Sequence, residues 1–192
     1  MRAPIWFSVS LLLMASCGLA EASDYSPCDL HPTRAGWRVF VDYQDRFCFE
    51  YPPKYHVAPT VFAPGVSTGN ATRFIGRLTT APSPSEAAIA DDPGASTINV
   101  FAYGIHFRPE DLTKFAPMGE GDSPPQRIHA AHGEFYYYGG GGGGVLYPDV
   151  FYFGIRGRAF SIEFFGPYSG GKTPDPETKR IEPEVLASFH SF

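Results

Sequence analysis

The sequence predicts an α+β fold: one domain built on an antiparallel β-sheet with a few short helices. Three observations carry that prediction. The chain holds 17 Phe and 11 Tyr beside 21 Gly and 19 Pro, a mixture that suits strands joined by tight turns. Short apolar runs alternate with a period of two and are bounded by turn residues. No segment has the length of a proper crossover helix, which a parallel βαβ sheet would need.

The elements follow in order. Residues 23–35 read as a tail. Val39–Val41 and Phe47–Tyr51 read as strands around a turn at Asp42–Arg46. In the second, Phe47, Phe49 and Tyr51 share one face and Cys48 and Glu50 the other. Pro52-Pro53 ends it, because proline cannot donate to the ladder. Phe74–Thr79 and Thr97–Tyr103 are further strands, with Thr80–Gly94 as a loop holding one helical turn at Glu86–Ala90. Pro109–Phe115 reads as a short helix, with proline in its first turn and acids near its positive end. After a loop at Met118–Pro125, Ile128–Tyr138 reads as one strand, irregular at Gly133. A six-glycine run, Gly139–Gly144, leads on to Val150–Arg156. Gly157-Arg158 turns the chain into Ala159–Phe165, which makes an antiparallel hairpin. There Phe160, Ile162 and Phe164 are expected inside, with Ser161 and Glu163 toward solvent. Pro183–Phe189 is expected to be a helix, with Ile181, Val185, Leu186 and Phe189 on one face.

The N-terminus sets the compartment. Arg2 precedes an apolar run, Ile5–Ala15, of about ten residues, where a membrane-spanning helix needs about twenty. Residues 1–22 therefore read as a signal peptide, and residues 23–192 as a single exported domain. The cut follows Ala20 or Ala22, or it precedes Cys17, because Met14-Ala15-Ser16-Cys17 is similar to a lipobox and would make Cys17 a lipidated first residue. Past the signal about 170 residues remain, enough for one core. Cys28 and Cys48 are then the pair available for a disulfide, closing a loop of about twenty residues. There is no C-x-x-C, so a redox-active dithiol is not indicated. Charged residues are only 18% and the net charge is −5, with no basic stripe, which argues against nucleic acid and against attraction to anionic lipid.

Two blocks carry a family resemblance. One runs Tyr152-Phe153-Gly154-Ile155-Arg156-Gly157-Arg158-Ala159-Phe160-Ser161-Ile162-Glu163-Phe164-Phe165-Gly166-Pro167-Tyr168 and is completed by Val185-Leu186-Ala187-Ser188-Phe189-His190-Ser191-Phe192. The other is Phe47-Cys48-Phe49-Glu50-Tyr51-Pro52-Pro53-Lys54-Tyr55. Together they resemble the end and the opening of the PsbP/Mog1-like fold. The resemblance implies an uncharacterised bacterial exported protein or lipoprotein. It also implies a fold whose members are typically non-enzymatic, some being exported accessory subunits and some binding a small GTPase. It supplies no catalytic set.

Candidate chemistry is sparse. Gly166–Thr173 spells a P-loop in letters, but Pro174 and Pro176 interrupt the helix that would cradle phosphate. His129, His132 and Glu134 form the densest ligand-type cluster; on one strand His132 and Glu134 share a face and His129 points away, so a shared metal needs a bend at Gly133. No Gly-x-Ser-x-Gly elbow exists. Glu50, Asp92, Glu134 and Glu163 give no reason to pair as acid and base. Asn70-Ala71-Thr72 is a glycosylation sequon. Tyr136 and Tyr138 fall on the face opposite Phe135 and Tyr137 and form a candidate contact surface beside the glycine run. The expected function is a non-catalytic binding or accessory module of the cell envelope, with an envelope protein or small ligand as partner and no cofactor. A metal-dependent or carboxylate hydrolase and a structural envelope protein are the alternatives. Mass spectrometry of the mature N-terminus is expected to show either an acylated Cys17 or a free start at Glu21 or Ser23; an intact Met1 on the native protein would overturn the signal reading.

Overall fold

A computed structural model of the chain describes Cys28 and residues 32–58, 73–81, 94–111, 125–139, 148–167 and 176–192. Among these residues ten strands and one α-helix follow in the order β1 (Arg38–Asp42), β2 (Phe47–Tyr51), β3 (His56–Ala58), β4 (Arg73–Thr79), β5 (Thr97–His106), β6 (Gln126–Ala130), β7 (Gly133–Gly139), β8 (Asp149–Ile155), β9 (Arg158–Phe165), α1 (Pro176–Ala187) and β10 (His190–Ser191). A 3-10 turn at Pro109–Asp111 follows β5. The fold is α+β, as predicted. A seven-stranded sheet runs β3-β4-β5-β9-β8-β7-β6 and a three-stranded sheet runs β1-β2-β10. Every pairing is antiparallel.

The core lies between the large sheet on one side and the small sheet with α1 on the other. The large sheet contributes Leu78, Ile98, Val100, Phe151, Phe153, Phe160, Ile162 and Phe164. Opposite them stand Phe40, Phe47, Phe49 and Tyr51 from β1–β2, and Ile181, Val185, Leu186 and Phe189 from α1 and the residues after it. Phe47 is fully buried at the centre. Its ring stacks on Phe189 at 5.4 Å and meets Phe160 edge-on at 5.9 Å and Phe153 at 6.3 Å. The two sheets approach closely at Gly76, where a Cβ would stand 2.7 Å from the Phe40 ring. Burial covers all five residues of β2, so both of its faces are covered. Asp45, in the β1–β2 turn, is buried and pairs with Arg73 on β4 and Arg158 on β9, which ties the small sheet to the large one.

Several expectations hold and several need correction. Cys28 and Cys48 are bonded, with Cα atoms 5.8 Å apart. The segment at 128–138 is two strands, not one: Ala131-His132 form a turn, and β6 folds back on β7 with Ile128 opposite Phe135 and His129 opposite Glu134. Gly133, read as an irregularity, opens the second strand. The β8–β9 turn is Arg156-Gly157, one residue earlier than read, and both have positive φ (49° and 76°), the signature of a type I′ hairpin. The helix begins at Pro176, not Pro183. Proline suits the first turn, while Pro183 inside the helix lacks one i→i−4 bond. Burial of Ile181, Val185 and Leu186 offsets that loss. Of the helix read at 109–115, the described part is the 3-10 turn. The turn read at Glu86–Ala90, the sequon, most of the glycine run and all of the P-loop letters past Pro167 lie outside the described residues.

Replacing Phe47 by Ala is expected to destabilise the protein by about 3–5 kcal/mol, because three elements lose their shared ring. Chemical denaturation checks this; a loss below about 1 kcal/mol would mean that the small sheet is not held through Phe47.

Candidate functional site

The face of the large sheet away from α1 carries the groups with candidate chemistry. Strand register sets them in a straight cross-strand row: Arg127 on β6, Tyr136 on β7, Tyr152 on β8, Ser161 on β9, Phe101 on β5 and Phe74 on β4. The next row brings Val150, Glu163, Asn99 and Arg77 together. Phe107 folds back over this face. It lies 5.8 Å from the Tyr136 ring, and only glycine at 154 admits it, since a Cβ there would stand 2.5 Å from the Phe107 ring.

Ser161 and Glu163 were expected toward solvent, and this is a second correction. Ser161 is fully buried and Glu163 half-buried, because this face too is largely covered. The Ser161 hydroxyl hydrogen-bonds with the Tyr103 hydroxyl at 3.0 Å and reaches Glu163 at 3.4 Å. The Arg77 Nε donates to Asn99 Oδ1 at 2.8 Å, its charge facing Glu163. Burial dominates the electrostatics: it pushes Glu163 from 4.5 up to about 7 and Tyr103 up to about 12. Arg77 and the Ser161 hydroxyl pull Glu163 the other way and do not prevail.

A second polar cluster lies on the opposite face, beneath α1. Asp149 is buried, accepts from Tyr137 Oη at 2.5 Å and pairs with Lys179 Nζ at 2.5 Å. Lys179 also reaches Glu182 at 3.5 Å. Burial first, and then the neighbouring Asp149, raise the Glu182 carboxyl well above its ordinary range.

The exposed corner is the β6–β7 hairpin. Arg127 pairs with Glu134, and the Tyr136 hydroxyl approaches the same carboxylate at 3.5 Å. The Arg127 guanidinium holds Glu134 below the usual carboxylate range. His129 Nδ1 stands 3.5 Å from Glu134, because cross-strand pairing puts the two on one face. His132, in the turn, goes elsewhere: its ring centroid lies 3.9 Å from that of His190, the two planes tilted by 34°. The three residues read as a metal cluster thus do not meet at one point, and among the described residues no group of three His, Cys, Asp or Glu could hold a metal ion. The hairpin is the physical reason, since it pairs His129 with Glu134 and turns His132 away. Burial and the adjacent His132 lower the His190 pKa. Glu50 binds the Thr33 amide and hydroxyl at 2.7 and 2.8 Å, a structural tie for the N-terminal segment. Cys17, Asp92 and the side chain of Tyr138 lie outside the described residues.

No family model and no curated protein matches the chain. Among solved structures it is similar to cyanobacterial PsbP (CyanoP) from Synechocystis sp. PCC 6803, at 12% identity and a TM-score of 0.46, covering 83% of this chain and 94% of that one. It is also similar to a protein from Bacteroides thetaiotaomicron, at 12% identity and a TM-score of 0.38, covering 82% of this chain and 49% of that one. The likeness to PsbP is distant. At these values neither protein lends its role to this chain, and no helix among the described residues is long and apolar enough to cross a membrane.

Sequence reasoning missed the burial of Glu163 and the Asp149–Lys179–Glu182 cluster. The i,i+3 spacing of Lys179 and Glu182 was the one visible signal for the latter. Because the Glu163 pKa is raised on folding, its contribution to stability is complete below pH 4.5 and is lost as pH rises through about 7. The full effect is about 3 kcal/mol. Glu163→Gln is expected to raise Tm at pH 8 by roughly 6–12 °C relative to the native chain, with the difference vanishing near pH 4.5. Calorimetry over that range checks it; a variant that loses ground as pH rises would contradict the assignment.

Proposed function

We propose that the chain is a non-catalytic binding or accessory module working outside the cytoplasm. Its leader, Arg2 with Ile5–Ala15, would be removed, or replaced by a lipid anchor on Cys17. The observation that carries the non-catalytic reading is the placement of the perturbed acids. Glu163 and Glu182 are on opposite faces of one sheet, each enclosed by its own hydrogen-bonding neighbours. Acid–base hydrolysis of a glycosidic bond needs two carboxyl groups flanking the bond at about 5–9 Å across an accessible cleft. Asp149 and Glu182 do lie together, but Lys179 and Tyr137 occupy them beneath α1. The Cys28–Cys48 bond fits an oxidising compartment.

The contact surface of this reading is the β6–β7 corner: Tyr136 with the exposed Arg127, His129 and Glu134, and Tyr138 beside it in sequence. A half-buried tyrosine ringed by both signs of charge suits a protein of the same envelope. Surface substitutions there should leave the melt within about 2 °C. A photo-crosslinking residue in place of Tyr136, in the native cells, is expected to give one discrete protein adduct. The same residue in place of Val57 should give none, and Arg127→Glu should weaken the Tyr136 adduct. No adduct from folded, correctly located protein would sink the contact surface. Turnover of an ester or glycoside abolished by Glu163→Gln would sink the non-catalytic reading.

A further inference from the structure

The tip of the β6–β7 hairpin reaches from the large sheet to the edge of the small one. There the His132 ring meets the His190 ring on β10, the centroids 3.9 Å apart and the planes tilted by 34°. β10 is the edge of the small sheet and only two residues long. It pairs with β2, His190 lying opposite Cys48 and Ser191 opposite Phe47. So short a strand has few ladder bonds, and contacts across its free edge weigh in how firmly it is seated. His132 is exposed and His190 half-buried, and among the described residues neither imidazole has a hydrogen-bond partner. The ring contact is therefore what joins the hairpin turn to this strand.

Charges near the pair come from several elements. On β2, Glu50 lies diagonally across from His190 on the same face of the small sheet, because His190 stands opposite Cys48, two positions before it. Glu50 Oε2 is buried without a hydrogen bond, and Arg34 Nη1 stands 3.9 Å from it. Cys48 is held in its disulfide and does not titrate. After β10, the Phe192 amide donates to the Arg46 carbonyl at 3.0 Å, and Arg156 donates to the terminal oxygen of Phe192 at 2.9 Å. Within the hairpin, Glu134 is engaged by Arg127 and His129. Of all these groups, His132 and Glu50 bear on His190: burial opposes its charge most, His132 opposes it next, and Glu50 favours it.

We infer that the His132–His190 pair is an acid-sensitive clasp, which holds the hairpin to the edge of the small sheet while at least one ring is neutral and opens when both carry a proton. Two neutral rings, or one neutral and one charged, attract in such a contact. Two imidazolium ions in ring contact repel, and a partly buried site screens them less than water does. Glu50 then draws the charged His190 toward its own sheet, away from the hairpin. His129 does not oppose the opening, since its proton strengthens the pair with Glu134 inside the hairpin, which so moves as a unit. The sign of the effect follows from the lowered His190 pKa. The unfolded chain takes up the proton first, so this contribution to stability is complete above about pH 6.5 and is lost as pH falls below it. That is the reverse of Glu163. The hairpin also carries the Tyr136 corner, so the clasp regulates the contact surface proposed above; its test reads this chain alone and needs no partner.

Histidine-selective carbon-13 NMR and amide hydrogen exchange, on the chain as its cells process it, test the clasp between pH 7.5 and 5. The His190 ring should titrate below the ordinary histidine range, and His132→Gln should raise its pKa. Over the same range the protection of amides 131–134, corrected for the intrinsic pH dependence of exchange, should fall several-fold. Residues 98–102 of β5 should keep theirs. His129→Gln should retain the fall and His132→Gln should abolish it. Hairpin protection that stays level while both imidazoles are seen to protonate overturns the inference, and so does a fall that persists in folded His132→Gln. Should that variant fail to melt cooperatively, the titration and protection of the native chain decide.

Discussion

The structure depends on the small sheet being held against the large one through Phe47. A three-stranded sheet with a two-residue third strand has too few ladder bonds to persist alone. It persists because Phe40, Phe47 and Phe49 enter the same apolar layer as Phe153, Phe160 and Phe189. Gly76 lets the sheets close to ring contact, and the buried Asp45, shared by Arg73 and Arg158, fixes the angle at one end. The disulfide then adds about 3 kcal/mol by restraining the unfolded N-terminal segment, at an element already buried on both faces.

Polar groups are buried on both sides of the large sheet, and each set has its own compensation. Beneath α1, Lys179 stands between Asp149 and Glu182, so a cation offsets two acids. On the other face Glu163 has Arg77 and the Ser161–Tyr103 hydroxyl pair. In both arrangements burial raises the carboxyl pKa, so Glu182 as well as Glu163 favours the neutral acid more than an exposed glutamate does. Both keep the acids occupied with the fold.

Much of the fold was legible because period-two alternation marks strands and assigns their residues to faces. Phe47–Tyr51, Thr97–Tyr103 and the β8–β9 hairpin were readable for that reason, and the two cysteines by elimination. Three things were not. A two-residue turn at Ala131-His132 lacks Asn, Asp or Gly, so only the neighbouring Gly133 marked the hairpin that separates His132 from Glu134. Alternation assigns a residue to a face but cannot say whether that face is covered, hence the misplacement of Ser161 and Glu163. The end that gathers Arg46, Arg156 and Phe192 draws them from positions far apart, an assembly that only the antiparallel topology makes.

The order of the large sheet bears on how the chain is made. Its middle strand is β9, the last of the seven to be synthesised, flanked by β5 and β8. A nascent chain that has emerged only to residue 150 has two half-sheets with no strand to join them, and the pairing of Thr97 with Phe165 closes a long loop at an entropic cost. The polypeptide therefore stays open until nearly its whole length is available, and late closure by one central strand makes the whole sheet a single cooperative unit.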